Sequence, residues 1–169
     1  MTTHVSDVRQ RLLAIVVAAA LVTGCTDNGP VAPTPTDAAI ATLQNASLRY
    51  KDLNAAKTDG FVFLHGCENR PGEGPVGMVY VNPGRLGDGN IDPAAPDALI
   101  YEPGANAQPT LVGVELAIPY SLWKAQTPPM YGGATFQTED EFGVFGLHAW
   151  VWRDNPNGLF AETNPEVSC

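Results

Sequence analysis

Positive charge is scarce in this chain. Its 169 residues include 9 lysines and arginines against 18 aspartates and glutamates, which gives a formal net charge of −9. Proteins that bind nucleic acid or anionic lipid by charge present clusters of Lys and Arg. The shortage of basic residues therefore argues against a nucleic-acid partner and against attachment to a membrane by charge alone.

Local signatures of catalysis are also missing. The sequence has no G-x-S-x-G nucleophile elbow, no P-loop or Rossmann glycine pattern, and no two histidines at metal-binding spacing. Residues 88–92 resemble the first half of a calcium loop, but Pro93 lies where that loop requires glycine, so a turn is the simpler interpretation. Whether the protein is an enzyme stays open, and the missing motifs favour a protein that is not.

No apolar run is long enough to cross a bilayer, since a spanning helix needs about 20 such residues. The first part of the chain instead has Arg9 and Arg11, an uncharged apolar run at residues 12–22, and a small-residue site that ends at Cys25. This order of segments is typical of a secretory signal peptide.

The cysteine that ends this site resembles the lipobox of bacterial lipoproteins. The resemblance implies that residues 1–24 are a lipoprotein signal peptide, that the chain is cut before Cys25, and that Cys25 carries diacylglycerol. Two or three acyl chains anchor a protein stably, whereas one does not. An ordinary signal peptide or a membrane anchor is the alternative.

The lipobox resemblance also implies a location. We predict an exported protein that a lipid holds on a bacterial membrane. In a Gram-negative cell this is the outer membrane, on its periplasmic or surface side, because Thr26 follows Cys25 where retained lipoproteins have Asp. In a Gram-positive cell it is the outer face of the cell membrane.

With Cys25 assigned to lipid, Cys67 and Cys169 remain as a pair. Exported proteins fold in oxidising compartments, where paired cysteines form disulfides. A Cys67–Cys169 bond would close a loop of about 100 residues and contribute on the order of 4 kcal/mol in the chain-entropy model. The alternatives are two free thiols, or Cys67 as a metal ligand or nucleophile.

The remaining chain divides into a tether and a domain. Residues 25–36, the lipidated Cys and a Pro/Thr-rich stretch without periodicity, are predicted to be a flexible tether. Residues 37–169 suffice for a single globular domain. Apolar residues recur at three- and four-residue steps from Ile40 to Leu53, which predicts one long amphipathic helix ending near Gly60.

After Gly60, short apolar runs alternate with Gly, Pro, Asn and Asp, the pattern of strands joined by turns. Five strands are predicted, at residues 60–65, 76–81, 98–102, 110–118 and 144–152. The predicted fold class is α+β, with the long helix packed on a curved antiparallel sheet and the disulfide as a staple. The long stretch at residues 119–143 carries large apolar side chains and is expected to fold over the sheet.

The last predicted strand gives the best indication of a site. Alternation places His148, Trp150 and Trp152 on one face. Two exposed tryptophans would form a costly apolar patch. Either the long loop buries this face as a second core, or the three residues line a ligand pocket together with Glu115.

Four polar residues at strand positions are candidates for a metal or acid–base cluster: His65, Glu102, Glu115 and His148. An acid within an apolar strand needs a partner, because an unpaired buried carboxylate is costly. His65, Glu115 and His148 would suit zinc or another divalent transition metal. The alternative is that all four are satisfied structural groups and that no cofactor binds. The acidic residues 139–141 are predicted to be a solvated loop.

Several segments together resemble a family of uncharacterised exported bacterial proteins. They are R-Y-K-D at residues 49–52, D-G-F at 59–61, Y-V-N-P at 80–83, Y-E-P at 101–103, V-G-V-E at 112–115, and H-x-W-x-W…NP-x-G…NP-x-V-S-C from His148 to Cys169. The resemblance covers most of the predicted domain and implies no activity. The chain departs from the family at Val79, where the family has a histidine, and this counts against the metal hypothesis.

Two functions fit these observations. The favoured one is a cell-envelope lipoprotein whose exported domain binds a small molecule or a protein partner. The alternative is a metal-dependent hydrolase-like enzyme that uses His148 and Glu115.

Overall fold

The computed structural model describes residues 35–104 and 108–169, which belong to one compact unit. The predicted signal peptide, Cys25 and nearly all of the tether lie outside these residues, so the lipid anchor stays a prediction. Within the described ranges, no helix combines the length and the apolar character needed to span a bilayer.

The helical region before the sheet consists of three short pieces. Helix α1 spans Pro35–Ser47, a 3-10 turn covers Leu48–Lys51, and helix α2 spans Leu53–Thr58. Asp52 lies between the last two with extended backbone, at φ −93° and ψ 109°, and its carboxylate accepts a hydrogen bond from the N–H of Asn54. The structure therefore does not support one long helix, because an N-cap at Asp52 ends one segment and starts the next.

The sheet contains all five predicted strands and one more. Its members are β1 (Val62–Arg70), β2 (Gly74–Val81), β3 (Ala98–Glu102), β4 (Thr110–Pro119), β7 (Gln137–Glu139) and β8 (Val144–Ala149). They form a curled antiparallel half-barrel in the order β1-β2-β3-β4-β8-β7. A short helix, α3 (Pro83–Leu86), follows β2.

The stretch at residues 119–143 has structure of its own. Strands β5 (Met130–Tyr131) and β6 (Ala134–Thr135) form a separate hairpin, and the Tyr131 hydroxyl donates to the carbonyl of Ala39 in α1. Strand β7 then forms the edge of the main sheet beside β8. The stretch thus contributes a strand to the sheet, where the sequence predicted only a covering loop.

The face of the sheet toward the helices holds the larger core. Its buried members include Leu43, Tyr50, Phe61, Leu99, Tyr101, Leu116 and Leu147. The Tyr101 hydroxyl donates to the backbone carbonyl of Tyr50 at 2.6 Å, which ties the 3-10 turn to the sheet. Burial of these side chains, at roughly 25 cal/mol per Å² of apolar area, is the main stabilising contribution of this face.

The opposite face is covered by the strap, residues 153–169, which follows β8. Val167 of the strap packs with Ile100, Val112 and Trp150 in a second, smaller core. The predicted disulfide is present and joins Cys169 to Cys67 of β1. A disulfide points to an oxidising compartment outside the cytoplasm.

The chain leaves the sheet earlier than the alternation predicted. Strand β8 ends at Ala149, and Trp150 stays on the face of His148, with their ring centroids 6.0 Å apart. Trp152 instead packs toward the helices, where its indole N–H donates to Ser47 Oγ and Lys51 Nζ lies 3.7 Å from its ring centroid. The period of two applies only while the backbone remains extended.

Candidate functional site

A cavity of about 170 Å³ lies on the sheet face opposite α1 and α2, and Leu86 of α3 lines it. Valine and alanine side chains of β2, β3 and β4 form much of its wall. Its polar lining consists of His65, Arg70, Asp97, Glu115, Glu139 and His148. Apolar walls with a few convergent polar groups are typical of small-ligand sites.

Strand register brings Glu115, Glu139 and His148 to one place in this cavity. Glu115 of β4 pairs with His148 of β8, and Glu139 of β7 pairs with Val144 on the other side of β8. Paired residues of antiparallel strands project to the same face of a sheet. One ligating atom from each of the three side chains lies within 4.8 Å of the other two.

Gly146 makes this approach possible. It pairs with Ala117 of β4 and Gln137 of β7, between the two acids. A Cβ atom at this position would collide with Glu139 Oε1 and would lie 2.8 Å from Glu115 Oε1. The two carboxyl groups therefore occupy the space that a side chain at residue 146 would fill.

The ring of His148 is held by its Nδ1 atom. Nδ1 lies 2.7 Å from the carbonyl oxygen of Glu162 in the strap. A carbonyl only accepts, so Nδ1 carries the proton, and Nε2 of the neutral ring presents a lone pair. Nε2 lies 3.9 Å from Glu115 Oε2, which is too far for a hydrogen bond. His148 is only 3% exposed, so its Nε2 faces the cluster within the protein.

The ionised forms of Glu115 and Glu139 are destabilised by their burial in the cavity. Burial, together with the nearby Glu139 carboxyl, raises the pKa of Glu115 well above its usual range. Burial also raises the pKa of Glu139, although His148 and Arg70 oppose this shift. Glu139 Oε1 is buried and accepts no hydrogen bond from a donor group of the described residues. The Glu139 carboxyl lies within hydrogen-bonding reach of the Glu115 carboxyl, so a proton on either acid can be shared between them. Such a pair requires a shared proton or a cation.

Asp97 is a third acid of the cavity. Its Oδ2 accepts a hydrogen bond from the N–H of Ala117 at 2.9 Å, and its own N–H donates to the carbonyl of Glu115. Burial raises the pKa of Asp97 to about 7, with Asp88 adding to the increase and Arg85 opposing it. Asp97 thus contacts the β4 backbone at Glu115 and at Ala117 and adds to the acidic character of the cavity.

Two further contacts attach the strap to the rest of the domain near the site. The guanidinium of Arg70 in β1 forms an ion pair with the Glu162 carboxylate at 2.7 Å. The indole N–H of Trp150 donates to the carbonyl of Ala161 at 2.6 Å. These bonds hold the Glu162 side chain and the preceding backbone carbonyl, and so position the carbonyl that contacts His148.

The structure brings together two of the predicted metal ligands, Glu115 and His148. His65 lies at the rim of the cavity, where its ring stacks on Phe142 with centroids 6.1 Å apart and its Nδ1 lies 2.9 Å from the carbonyl of Gly66. It is not a member of the three-residue cluster.

The other predicted residues lie elsewhere. Glu102 forms an ion pair with Arg153 of the strap, away from the cavity. Trp150 and Trp152 line a separate, open depression next to Arg153. Side-chain hydrogen bonds of Asp88 to the N–H of Asn90 and of Asp92 to the N–H of Ala94 form turns in this segment, as the simpler interpretation predicted.

Sequence reasoning missed Glu139. The prediction of a solvated loop is wrong for this residue, because Glu139 ends β7 and lines the cavity. The available signal was the alternation of residues along an extended strand. Phe136 is buried, and Gln137 and Glu139 project to the opposite face. Gly143, with its φ of 67°, then permits the turn into β8.

The chemistry open to this cavity is limited by its lining. The described residues around it include no hydroxyl, thiol or lysine side chain that could serve as a nucleophile. Their carboxylates and imidazoles can hold a cation or a hydrogen-bond donor, or can move a proton. No protein-family model, no curated protein and no solved structure matches this chain.

Proposed function

We propose that this chain is a lipid-anchored protein of the bacterial envelope whose domain binds a small, positively charged ligand in the cavity. The observation that carries the proposal is the buried, unpartnered Oε1 of Glu139 beside the carboxyl group of Glu115. A buried acidic pair of this kind is stabilised by a cation that enters the cavity. Lipid anchoring and membership of the exported bacterial family are proposals based on the sequence alone.

The position of the cluster favours a small ligand over a protein partner. Glu115 is 6% exposed and His148 is 3% exposed, so the surface of a folded protein partner cannot reach them. Small molecules enter enclosed sites of this kind, with the apolar walls contacting the ligand body and the polar groups fixing its orientation.

The test is a binding assay on the purified full-length chain. A panel of small primary and quaternary amines is titrated by calorimetry against wild type and against the Glu115→Gln variant. We expect the variant to bind roughly 10-fold more weakly or worse, because one charge-assisted hydrogen bond is lost.

Glu141→Gln is the matched control, since it removes the same charge from an exposed residue near Glu139. Its affinity for amines should equal that of wild type. Equal losses in the two variants would show that net charge, and not the cavity, controls binding.

A metal-dependent hydrolase-like enzyme is the second candidate. Three donor atoms within 4.8 Å of one another would leave coordination positions open for water and substrate. Turnover of small ester and phosphate substrates after addition of Zn²⁺ or Mn²⁺ tests this function. Activity that His148→Ala abolishes and His65→Ala retains would support it, and absence of turnover with either metal would reject it.

A further inference from the structure

We infer that Glu115, Glu139 and His148 form a binding site for one divalent transition-metal ion. The inference rests on the proposed function, because it names the class of cation that the cavity takes. It replaces the ligand set predicted from sequence, since Glu139 of β7 takes the place of His65.

The distances within the cluster suit a shared ion. Two atoms that each lie about 2.0–2.2 Å from a zinc ion are separated by at most about 4.4 Å. The Nε2 atom of His148 and Oε2 of Glu115 are 3.9 Å apart, which is too long for a hydrogen bond and within this limit. Three atoms around one tetrahedral ion are about 3.5 Å apart, so the 4.8 Å bound on all three requires side-chain shifts that shorten their separations by up to about 1.3 Å.

His148 is oriented as a metal-binding histidine is. Ligating histidines commonly donate their second ring N–H to a backbone carbonyl or a carboxylate, which fixes the tautomer and the direction of the lone pair. The bond from Nδ1 to the carbonyl of Glu162 provides this arrangement. This hydrogen bond does not involve Glu115 or Glu139, because its acceptor is a backbone carbonyl of the strap.

The acids provide both the charge and the space for an ion. Two carboxylates neutralise a divalent cation, and Glu139 Oε1 has no other partner among the described residues. Arg70, a cation that also lines the cavity, instead pairs with Glu162. Gly146 keeps the space beside both carboxyl groups free of a side chain.

The donor set indicates the class of metal. Imidazole with carboxylates suits zinc, manganese, iron and cobalt in their divalent states. Calcium and magnesium prefer oxygen donors alone, and monovalent copper prefers sulfur. A proton shared between Glu115 and Glu139 is the alternative occupant of the site. In that case a metal titration would show no saturable uptake.

The test uses the full-length chain after removal of metal with a chelator. Titration with Co²⁺ should produce the visible absorption of a protein-bound ion and saturate at one ion per chain, and Zn²⁺ should displace it. Glu139→Gln, Glu115→Gln and His148→Ala should each weaken binding by roughly 10-fold or more. Glu141→Gln, which changes an exposed residue outside the cavity lining, should bind as wild type does.

Circular dichroism and an intact disulfide identify variants that fail to fold. If His148→Ala does not fold, Glu139→Gln still tests the inference, because this change is isosteric. No saturable uptake, or uptake that Glu139→Gln leaves unchanged, would overturn the inference. If amines bind in a Glu115-dependent way while metals do not, the inference fails and the proposed function stands. If neither binds, both fail.

Discussion

Gly146 is the residue on which the acidic cluster depends most directly. It lies between the strands that carry Glu115 and Glu139, and its missing side chain is the space in which their carboxyl groups meet. Its role is steric, since the two acids would otherwise be pushed apart.

Gly146→Ala should therefore separate the two carboxyl groups. We expect a loss of about 1–3 kcal/mol in the free energy of unfolding, as for other overpacked sites, and loss of Co²⁺ binding. Urea denaturation and the cobalt titration measure the two effects. Gly66→Ala in β1 is the control, because a Cβ atom there meets nothing within 4 Å. Wild-type metal binding in Gly146→Ala would show that the close approach is unnecessary.

Asp97 makes the stability of the metal-free chain depend on pH. Its pKa is about 7 in the folded protein and near 3.8 in ordinary surroundings. Between these values the folded state keeps a proton that the unfolded state has lost, so the free energy of unfolding falls as the pH rises. The fall for one such group is at most about 1.4 kcal/mol for each pH unit.

We expect Asp97→Asn to show a shallower fall over the same pH interval. Glu115 contributes a slope of the same sign, so the difference between variant and wild type is the decisive measurement. Urea denaturation from about pH 4 to about pH 8 gives the two curves. Parallel curves would mean that Asp97 titrates normally in the folded protein.

At the scale of elements, β8 is the strand that organises the site. It has β4 on one side and β7 on the other, and each neighbour contributes one of the two glutamates. The strap adds the backbone contact that holds His148. Two ion pairs connect the strap to the sheet, Arg70–Glu162 and Arg153–Glu102.

These two ion pairs should differ in their contribution to stability. Glu162 and Arg70 are both partly exposed, so Arg70→Met should cost about 0.2–1 kcal/mol. Glu102 is 8% exposed, and Arg153→Met would leave its carboxylate buried without its partner, which should cost more than about 1 kcal/mol. Urea denaturation of both variants gives the comparison, and equal costs would contradict this assignment.

The sequence predicted elements better than it predicted their boundaries and contacts. Five strands could be found because apolar runs lie between glycine- and proline-rich turns. The break at Asp52 was missed because Leu53 continues the apolar spacing of the preceding segment, while the cap acts through a side-chain hydrogen bond. Glu139 was missed because its strand has only three residues, so alternation can be recognised there only when the buried Phe136 before the strand is included. The meeting of Glu115 with His148 depends on strand order, which local sequence does not encode.

At the scale of the whole molecule, the Cys67–Cys169 disulfide joins β1 to the strap across 102 residues. Closing a loop of this length is expected to stabilise the fold by about 4–5 kcal/mol in the chain-entropy model. Cys67→Ser and Cys169→Ser should lose equal stability, and the double variant should lose no more than either. Reduction of wild type should produce the same loss, and an unchanged melting temperature on reduction would contradict the prediction.

Anchoring through Cys25 gives a separate prediction. Cys25→Ser should abolish both the incorporation of labelled palmitate and retention in the membrane fraction, because the acceptor thiol is lost. Cys67→Ser controls for the general effect of removing a thiol and should retain both properties. Labelling that persists in Cys25→Ser would place the lipid elsewhere or exclude it.

The strap also determines when the Glu115–Glu139–His148 site can be completed. All strands of the described residues precede residue 153, so the carbonyl of Glu162 can reach His148 only after these strands have been synthesised. The disulfide that holds the strap against β1 forms only where thiols are oxidised. A cation bound at the proposed site would therefore be acquired in an oxidising compartment outside the cytoplasm.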